Sequence, residues 1–361
     1  MNIRNKIDRK DMINLLMIGP IPPPVGGATV SFEQLSSKLL LHDNFRIKII
    51  SSWPPGKRSF IIKFFFALLT MVKLMVQIWN FNEVIFFASD RGTKVFGPFI
   101  HLISKLSCKP WILRKFGGSF DIMYKESSAF WKCIIKNFIL SADLCLFQTG
   151  YLVNFFKQLK PKANIDWHAN SRPLTRSENR VINKKECRKF IFLGHVKPSK
   201  GIKDIIEAAK LIDRNIQIDI YGPLEDGIEK DNFKNISKLR YCGVLENDRV
   251  LDTLKRYDSL IFPTYYKGEG YPGVILEAYS AGIPVITTNW RSIPEIVDKN
   301  SGILIEPNNA LDLTNAMIRL LDDKKLYKKL CEGTKSKAEK FSLDYWANRL
   351  ACYCKSTLRN E

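Results

Sequence analysis

Two glutamates eight residues apart, Glu269 and Glu277, stand in the run EGYPGVILEAYSAGIPVI. The glycines and proline between Gly268 and Gly273 mark a turn. A short amphipathic helix follows, then a buried strand at 284–287. The first acid lies in the turn and the second about one helical turn further on, so both can face one pocket at the helix start. Such a start offers unpaired N–H groups and partial positive charge, which suit a phosphate. Carboxylates beside it suit sugar hydroxyls, and a nucleotide-sugar carries both kinds of group. Two acids near a helix start can also serve only to complement the helix dipole.

Two further constellations have similar chemistry. In FIFLGHVKPSKGI, Gly194 ends a strand, His195 follows it, and Lys200-Gly201 precede a helix. A lysine there can reach a diphosphate from the side of the helix terminus. In GPIPPPVGGATVSFEQL, three prolines stiffen the chain and Gly26-Gly27 let the backbone pass close to a ligand just before a helix, unless they are only a turn. No D-x-D run sits at a strand end. The eight cysteines are scattered, and Cys352 and Cys354 lack C-x-x-C spacing. The expectation is a reduced, cytosolic chain that needs no metal or other cofactor.

These residues need elements to hold them, and the chain alternates strand and helix throughout. Strands are predicted at 12–19, 45–51, 84–88, 111–115 and 144–148, with helices at 28–41, 59–79, 94–106, 128–140 and 151–158. Short apolar strands separated by helices imply a parallel sheet covered on both sides. The periodicity stops in the polar run SRPLTRSENRVIN. It restarts with strands at 189–194, 216–221, 260–263, 284–287 and 302–306, helix 202–212, and helices over 311–321, 324–341 and 342–357. The expected organisation is an α/β protein of two Rossmann-like domains, 1–170 and 184–340. A linker covers 171–183, and a C-terminal helix, 341–361, packs back toward the first domain. Ligands bind at the carboxyl ends of such strands, so the crevice between facing domains is the expected site.

The string EGYPGVILEA followed by AGIPVI resembles the E-x7-E signature of glycosyltransferase family 4, the retaining enzymes of GT-B fold. The likeness is strong over 190–310 and looser over 10–170. It implies a GT-B fold and transfer of a sugar from a nucleotide-diphosphate donor with the anomeric configuration kept. Residue by residue, it implies that Glu269 contacts hydroxyls of the transferred sugar and that Lys200 holds the donor diphosphate. Gly270 and Tyr271 turn backbone N–H groups to the distal phosphate, and Glu277 binds the ribose. Gly26 and Gly27 close over donor or acceptor, and the segment around Gly243 cradles the base. His195 stands where the family usually has arginine. Phe116 stands where it often has histidine, which leaves Gly117, Gly118, Asp121 or Lys115 on the acceptor side.

The net charge is +20, and residues 1–170 hold 23 Lys/Arg against 10 Asp/Glu. A basic first half implies an anionic partner. Nucleic acid is disfavoured, because zinc-finger spacing, RNP-like strands and basic-region helices are missing. The apolar stretch between Lys63 and Lys73 is nine residues, short of the roughly 20 that cross a bilayer. Lys63, Thr70, Lys73 and Gln77 share one helix face. This helix reads first as a mostly buried element of the α/β domain and second as one lying on a membrane surface. With no signal peptide, the expected setting is cytoplasmic or peripheral on the cytoplasmic face of the inner membrane. The acceptor would then be a lipid-linked glycan of cell-surface polysaccharide. The rival reading is a catalytically weak GT-B partner subunit that binds nucleotide-sugar or glycan.

Overall fold

The computed structural model describes residues 12–24, 26–56, 58–174 and 186–359. The chain divides into two compact units: Met1–Ala169 with Leu343–Glu361, and Asn170–Ser342.

In the first unit the strands are β1 (Ile13–Gly19), β2 (Phe45–Ser51), β3 (Glu83–Ala88), β4 (Trp111–Lys115), β5 (Leu144–Phe147) and β6 (Ile165–Trp167). Between them run α1 (Gly27–Leu40), α2 (Phe60–Gln77), α3 (Asp90–Ser107), α4 (Phe120–Glu126), α5 (Ala129–Asn137) and α6 (Gly150–Leu159). The strands form one sheet in the order β2-β1-β3-β4-β5-β6, and every neighbouring pair is parallel. Side chains alternate across a strand, so β1 feeds two cores. Leu16 and Ile18 join Phe86, Ile100 and Phe156 on one face. Leu15 and Met17 join Phe32, Phe87 and Leu350 on the other. This explains why β3 is buried along its whole length. β6 and α4 were not predicted; each is too short to show a period.

The second unit is built alike. Its strands are β7 (Lys189–Leu193), β8 (Gln217–Tyr221), β9 (Leu239–Tyr241), β10 (Ser259–Phe262), β11 (Val285–Thr288) and β12 (Gly302–Ile305). Its helices are α7 (Ile202–Leu211), α8 (Val250–Leu254), α9 (Gly273–Ser280), α10 (Ala310–Asp322) and α11 (Lys324–Lys340). The order is β12-β11-β10-β7-β8-β9, again all parallel. The last helix, α12 (Leu343–Thr357), belongs to the first unit. Its Leu343, Ala347, Leu350, Ala351 and Cys354 recur at helical spacing and pack with α1 onto one face of the sheet.

Two expectations change. The favoured reading of α2 as a mostly buried helix is overturned. Only Thr70 and Leu74 are buried in it, while Phe60 is 81% exposed, Phe64 59%, Leu69 59% and Val76 66%. The polar Thr70 turns inward, its hydroxyl reaching the Ser51 carbonyl at 3.4 Å at the end of β2. The broad apolar face has no partner element among the described residues. The start of the expected linker is also not a linker. Ser171 and Arg172 are buried and group with the second unit, because Arg172 is tied there by a charged side-chain contact. The remainder of 171–183, from 175 on, lies outside the described residues.

One buried network in the first unit titrates. Arg114 on β4 is fully buried. It donates from Nε to His168 Nδ1 at 3.0 Å and from its other nitrogens to the carbonyls of Lys115 and Ala169 at 2.7 and 3.2 Å. The Nδ1 of His168 must therefore be unprotonated, which leaves Nε2–H to donate to the Trp346 carbonyl at 3.0 Å. Burial, then the Arg114 charge, push the His168 pKa well below 6.5. The unfolded chain takes up a proton near pH 6.5 that the folded chain refuses. The stability contribution is thus complete above pH 6.5 and lost as pH falls below it, at up to about 1.4 kcal/mol per unit. Denaturant melts at descending pH should show this slope in the native chain and a shallower one in His168→Gln. Equal slopes would remove the assignment.

Candidate active site

The chemistry of the second unit gathers at the carboxyl ends of its strands. After β7 the chain makes a turn of 3-10 helix at Pro198–Lys200 and enters α7 through Gly201 at φ +79°. A Cβ on Gly201 would stand 2.1 Å from the Pro263 carbonyl oxygen. Only glycine permits that approach, and it sets Lys200 against the loop leaving β10. The Tyr265 N–H donates to the Ser199 carbonyl at 2.9 Å and secures the contact.

Lys200 Nζ lies 2.5 Å from Glu269 Oε2, and the Thr264 hydroxyl donates to the same oxygen at 2.8 Å. The side chains of Lys200 and Glu269 are 12% and 9% exposed. The ammonium also sits over the rings of Phe262 and Tyr266, at 5.2 and 4.7 Å. Both donors converge on Oε2, and among the described residues no donor takes Oε1. The site thus holds a cation with further N–H groups and a carboxylate with a vacant acceptor.

The turn after Glu269 leads into α9, whose start has no side-chain cap. Gly270 and Tyr271 are buried in this turn. Tyr271 donates from its hydroxyl to Glu295 at 2.6 Å, and its carbonyl accepts from Asn170 Nδ2 at 3.0 Å. One turn into α9, Glu277 Oε1 accepts from Arg172 Nε at 2.6 Å. The Arg172 guanidinium lies over the helix start so closely that a Cβ on Gly273 would stand 1.8 Å from it. The two acids are thus each held by a different cation.

Asn170, Arg172 and Thr264 were missed by sequence reasoning. Arg172 lay in a run whose polarity and proline read as a linker, and Thr264 shows no signal until its hydroxyl meets Glu269.

A glycine floor adjoins this cluster. Gly194, Gly222 and Gly243 follow β7, β8 and β9 with positive φ. The Gly222 N–H donates to the Gly243 carbonyl at 2.8 Å, and a Cβ on Gly222 would stand 1.7 Å from the Gly194 oxygen. His195 is half exposed and bonds through Nδ1 to Glu225 at 2.6 Å, with Lys197 3.6 Å from the same carboxylate. Burial acts to raise the Glu225 pKa, but the His195 hydrogen bond and the nearby Lys197 ammonium outweigh it and hold it low. A basic cavity of about 410 Å³ also opens in this unit, lined by Arg188, Lys189, Lys238 and Arg240. It lies at the amino ends of the strands, away from the cluster.

In the first unit, Gly26 caps α1 with extended backbone, and a Cβ on either Gly26 or Gly27 would meet open space. Thr29 holds the turn, its hydroxyl accepting from the Gly26 N–H at 2.9 Å. Phe116 is buried against Phe87 and beneath Arg114. Gly117 takes φ +81°, and its N–H donates to Gln148 at 3.0 Å; Gly118 continues this turn. Lys115 is wholly buried, with Nζ 2.6 Å from Asp90. Asp121 is 1% exposed and accepts from the Tyr151 hydroxyl at 3.0 Å. Lys115 and Asp121 are therefore occupied within this unit.

The family model described as glycosyl transferases group 1 matches residues 175–337. An uncharacterised glycosyltransferase of Methanocaldococcus jannaschii is 28% identical over 247 residues, covering 67% of this chain and 66% of its own length. The Escherichia coli UDP-Gal:alpha-D-GlcNAc-diphosphoundecaprenol alpha-1,3-galactosyltransferase is 32% identical over 38% of this chain and 37% of its own. The chain thus spans less than two thirds of the length of these curated relatives. Among solved structures, Anabaena HepE in complex with UDP and glucose superposes with a TM-score of 0.70 at 13% identity, covering 95% of this chain and all of that one. The fold is that of the GT-B glycosyltransferases.

Because Lys200 and Glu269 are mostly withdrawn from water, removing either strands the other. A double-mutant cycle of Lys200→Met and Glu269→Gln, read by urea unfolding, should give a coupling of about 1–3 kcal/mol. A coupling near zero would mean that the pair does not form in solution.

Proposed function

We propose that this chain is a retaining glycosyltransferase of family 4, moving a sugar from a nucleotide-diphosphate donor to a hydroxyl of a lipid-linked glycan in cell-surface polysaccharide synthesis. The observation that carries this reading is the Lys200–Glu269–Thr264 cluster at the strand carboxyl ends, followed by the uncapped start of α9. The relative from Escherichia coli is named for a UDP-sugar donor and a diphosphoundecaprenol-linked acceptor, and the Anabaena structure holds UDP and glucose. Both names agree in kind with the donor and acceptor proposed.

The chemistry follows from charge. The bond between the anomeric carbon and the diphosphate oxygen breaks, and a new bond to the acceptor oxygen forms on the same face. The acceptor's proton passes to the departing phosphate oxygen. The leaving diphosphate gains negative charge, which Lys200 and the α9 N–H groups are arranged to stabilise. In this reading Glu269 Oε1 accepts from a hydroxyl of the sugar. Glu277, oriented by Arg172, accepts from the ribose, and the floor around Gly243 lies beneath the base. Lysine and helix terminus take the part that a divalent ion plays elsewhere, so no metal is required. The acceptor's lipid would bring the protein to an anionic membrane surface, as a cytoplasmic, peripheral protein.

A thermal-shift panel of nucleotide-sugars tests the reading, since a ligand of the folded state raises the melting temperature by mass action. At least one should stabilise the chain and support transfer, with the product keeping the donor's anomeric configuration. Lys200→Ala and Glu269→Ala should each cost at least ~100-fold in turnover while remaining folded, and EDTA should leave turnover unchanged. Absence of any stabilising nucleotide-sugar, or near-native turnover in both variants, would overturn it.

A further inference from the structure

Among the described residues, helix α2 is the one long apolar helix whose apolar side faces outward. The 21-residue run Phe60–Asn80 has a mean hydropathy of 2.0 over its most apolar window, and only 17% of that window is buried. Ile61, Phe65, Leu68, Val72, Val76 and Trp79 follow one another at helical spacing, and each is 45–66% exposed. The stripe is too continuous for scattered surface hydrophobics. Its opposite face is held by protein: Leu74 and Ile78 join the core cluster, and Thr70 bonds to Ser51.

We propose that α2 lies flat in an anionic lipid bilayer, with this stripe inserted among the acyl chains. Charge decides for lipid and against a second copy of the chain. From residue 44 to 82 there is no Asp or Glu, while Arg46, Lys48, Lys57, Arg58, Lys63 and Lys73 are all basic. Two copies meeting along α2 would bring cations against cations, whereas anionic headgroups complement them. Trp79, exposed where the helix ends, and Trp53, stacked under Lys63 at 5.2 Å, suit the headgroup level. The helix does not cross the bilayer, because the Thr70–Leu74–Ile78 side stays packed on the sheet. This refines the membrane setting of the proposed function and rests on it. The attachment is apolar, with the lysines as a secondary attraction, so salt should not release it.

Flotation of the full chain with phosphatidylcholine–phosphatidylglycerol vesicles tests this, compared with the triple variant Phe64→Ser, Phe65→Ser, Leu68→Ser. All three side chains are exposed, so the variant should keep its far-ultraviolet circular dichroism. The native chain should float and remain bound in about 1 M salt, where charges are screened beyond about 3 Å. The variant should lose at least ~tenfold of its bound fraction. Three outcomes would each sink the inference: a native chain that stays in solution, binding abolished by salt, or a dimer in light scattering that the variant dissolves without any vesicle binding. Nucleotide thermal shifts on the same samples separate the two readings. If nucleotides stabilise the chain and vesicles do not bind it, only the role of α2 falls; if both fail, the transferase reading falls too.

Discussion

An all-parallel sheet leaves neither face to water, and most of this architecture answers to that constraint. Strands β1 to β5 of the first unit supply two cores by alternation, so both faces need helices. Leu15 and Met17 look one way and Leu16 and Ile18 the other. The face carrying α1 is completed only by α12, from the far end of the chain. The crossovers that make strands parallel also put every loop from a strand's carboxyl end to the next helix on one edge. Residues as distant in sequence as Lys200 and Glu269 meet there for that reason.

The same burial constrains the charges. A chain of net charge +20 keeps most of its cations in water, but several of those described enter the interior with a carboxylate each. Lys200 meets Glu269, Arg172 meets Glu277, and Lys115 meets Asp90. A buried ion without such a partner is costly. Asp90 shows the balance: burial opposes its charge, yet the Lys115 ammonium and the Ser119 hydroxyl hold its pKa below the ordinary value. Arg114 is the contrast. Its acceptors are an imidazole and two carbonyls, none of them charged, and burial lowers its pKa to about 9. The neutral tautomer of His168 follows from that arrangement.

Helix α2 shows where periodicity misleads. Lys63, Thr70, Lys73 and Gln77 do share a side in sequence, and water is the usual destination of such a side. In the fold, Thr70 finds the Ser51 carbonyl at the end of β2 and Leu74 joins the core, while Phe60, Phe64, Phe65, Leu68 and Leu69 are left outside. A helical pattern states which residues share a face. Which face meets the sheet depends on the neighbours already placed beside it.

The sequence by itself determined the alternation of elements, the two α/β halves, and the local chemistry of the Glu269–Glu277 and Lys200-Gly201 runs. Those features are carried by near-neighbour spacing, glycine at turns and apolar runs of strand length. The tertiary structure alone decided the pairings. Arg172 leaves a polar, proline-bearing run to hold Glu277, Thr264 joins Lys200 on one oxygen of Glu269, and Asp121 is spent on Tyr151 inside its own unit. The short elements β6, β9, α4 and α8 also emerged only in the fold. Such contacts join residues far apart in the chain, and their geometry is set by how sheets and helices stack, which no local pattern of residue types encodes.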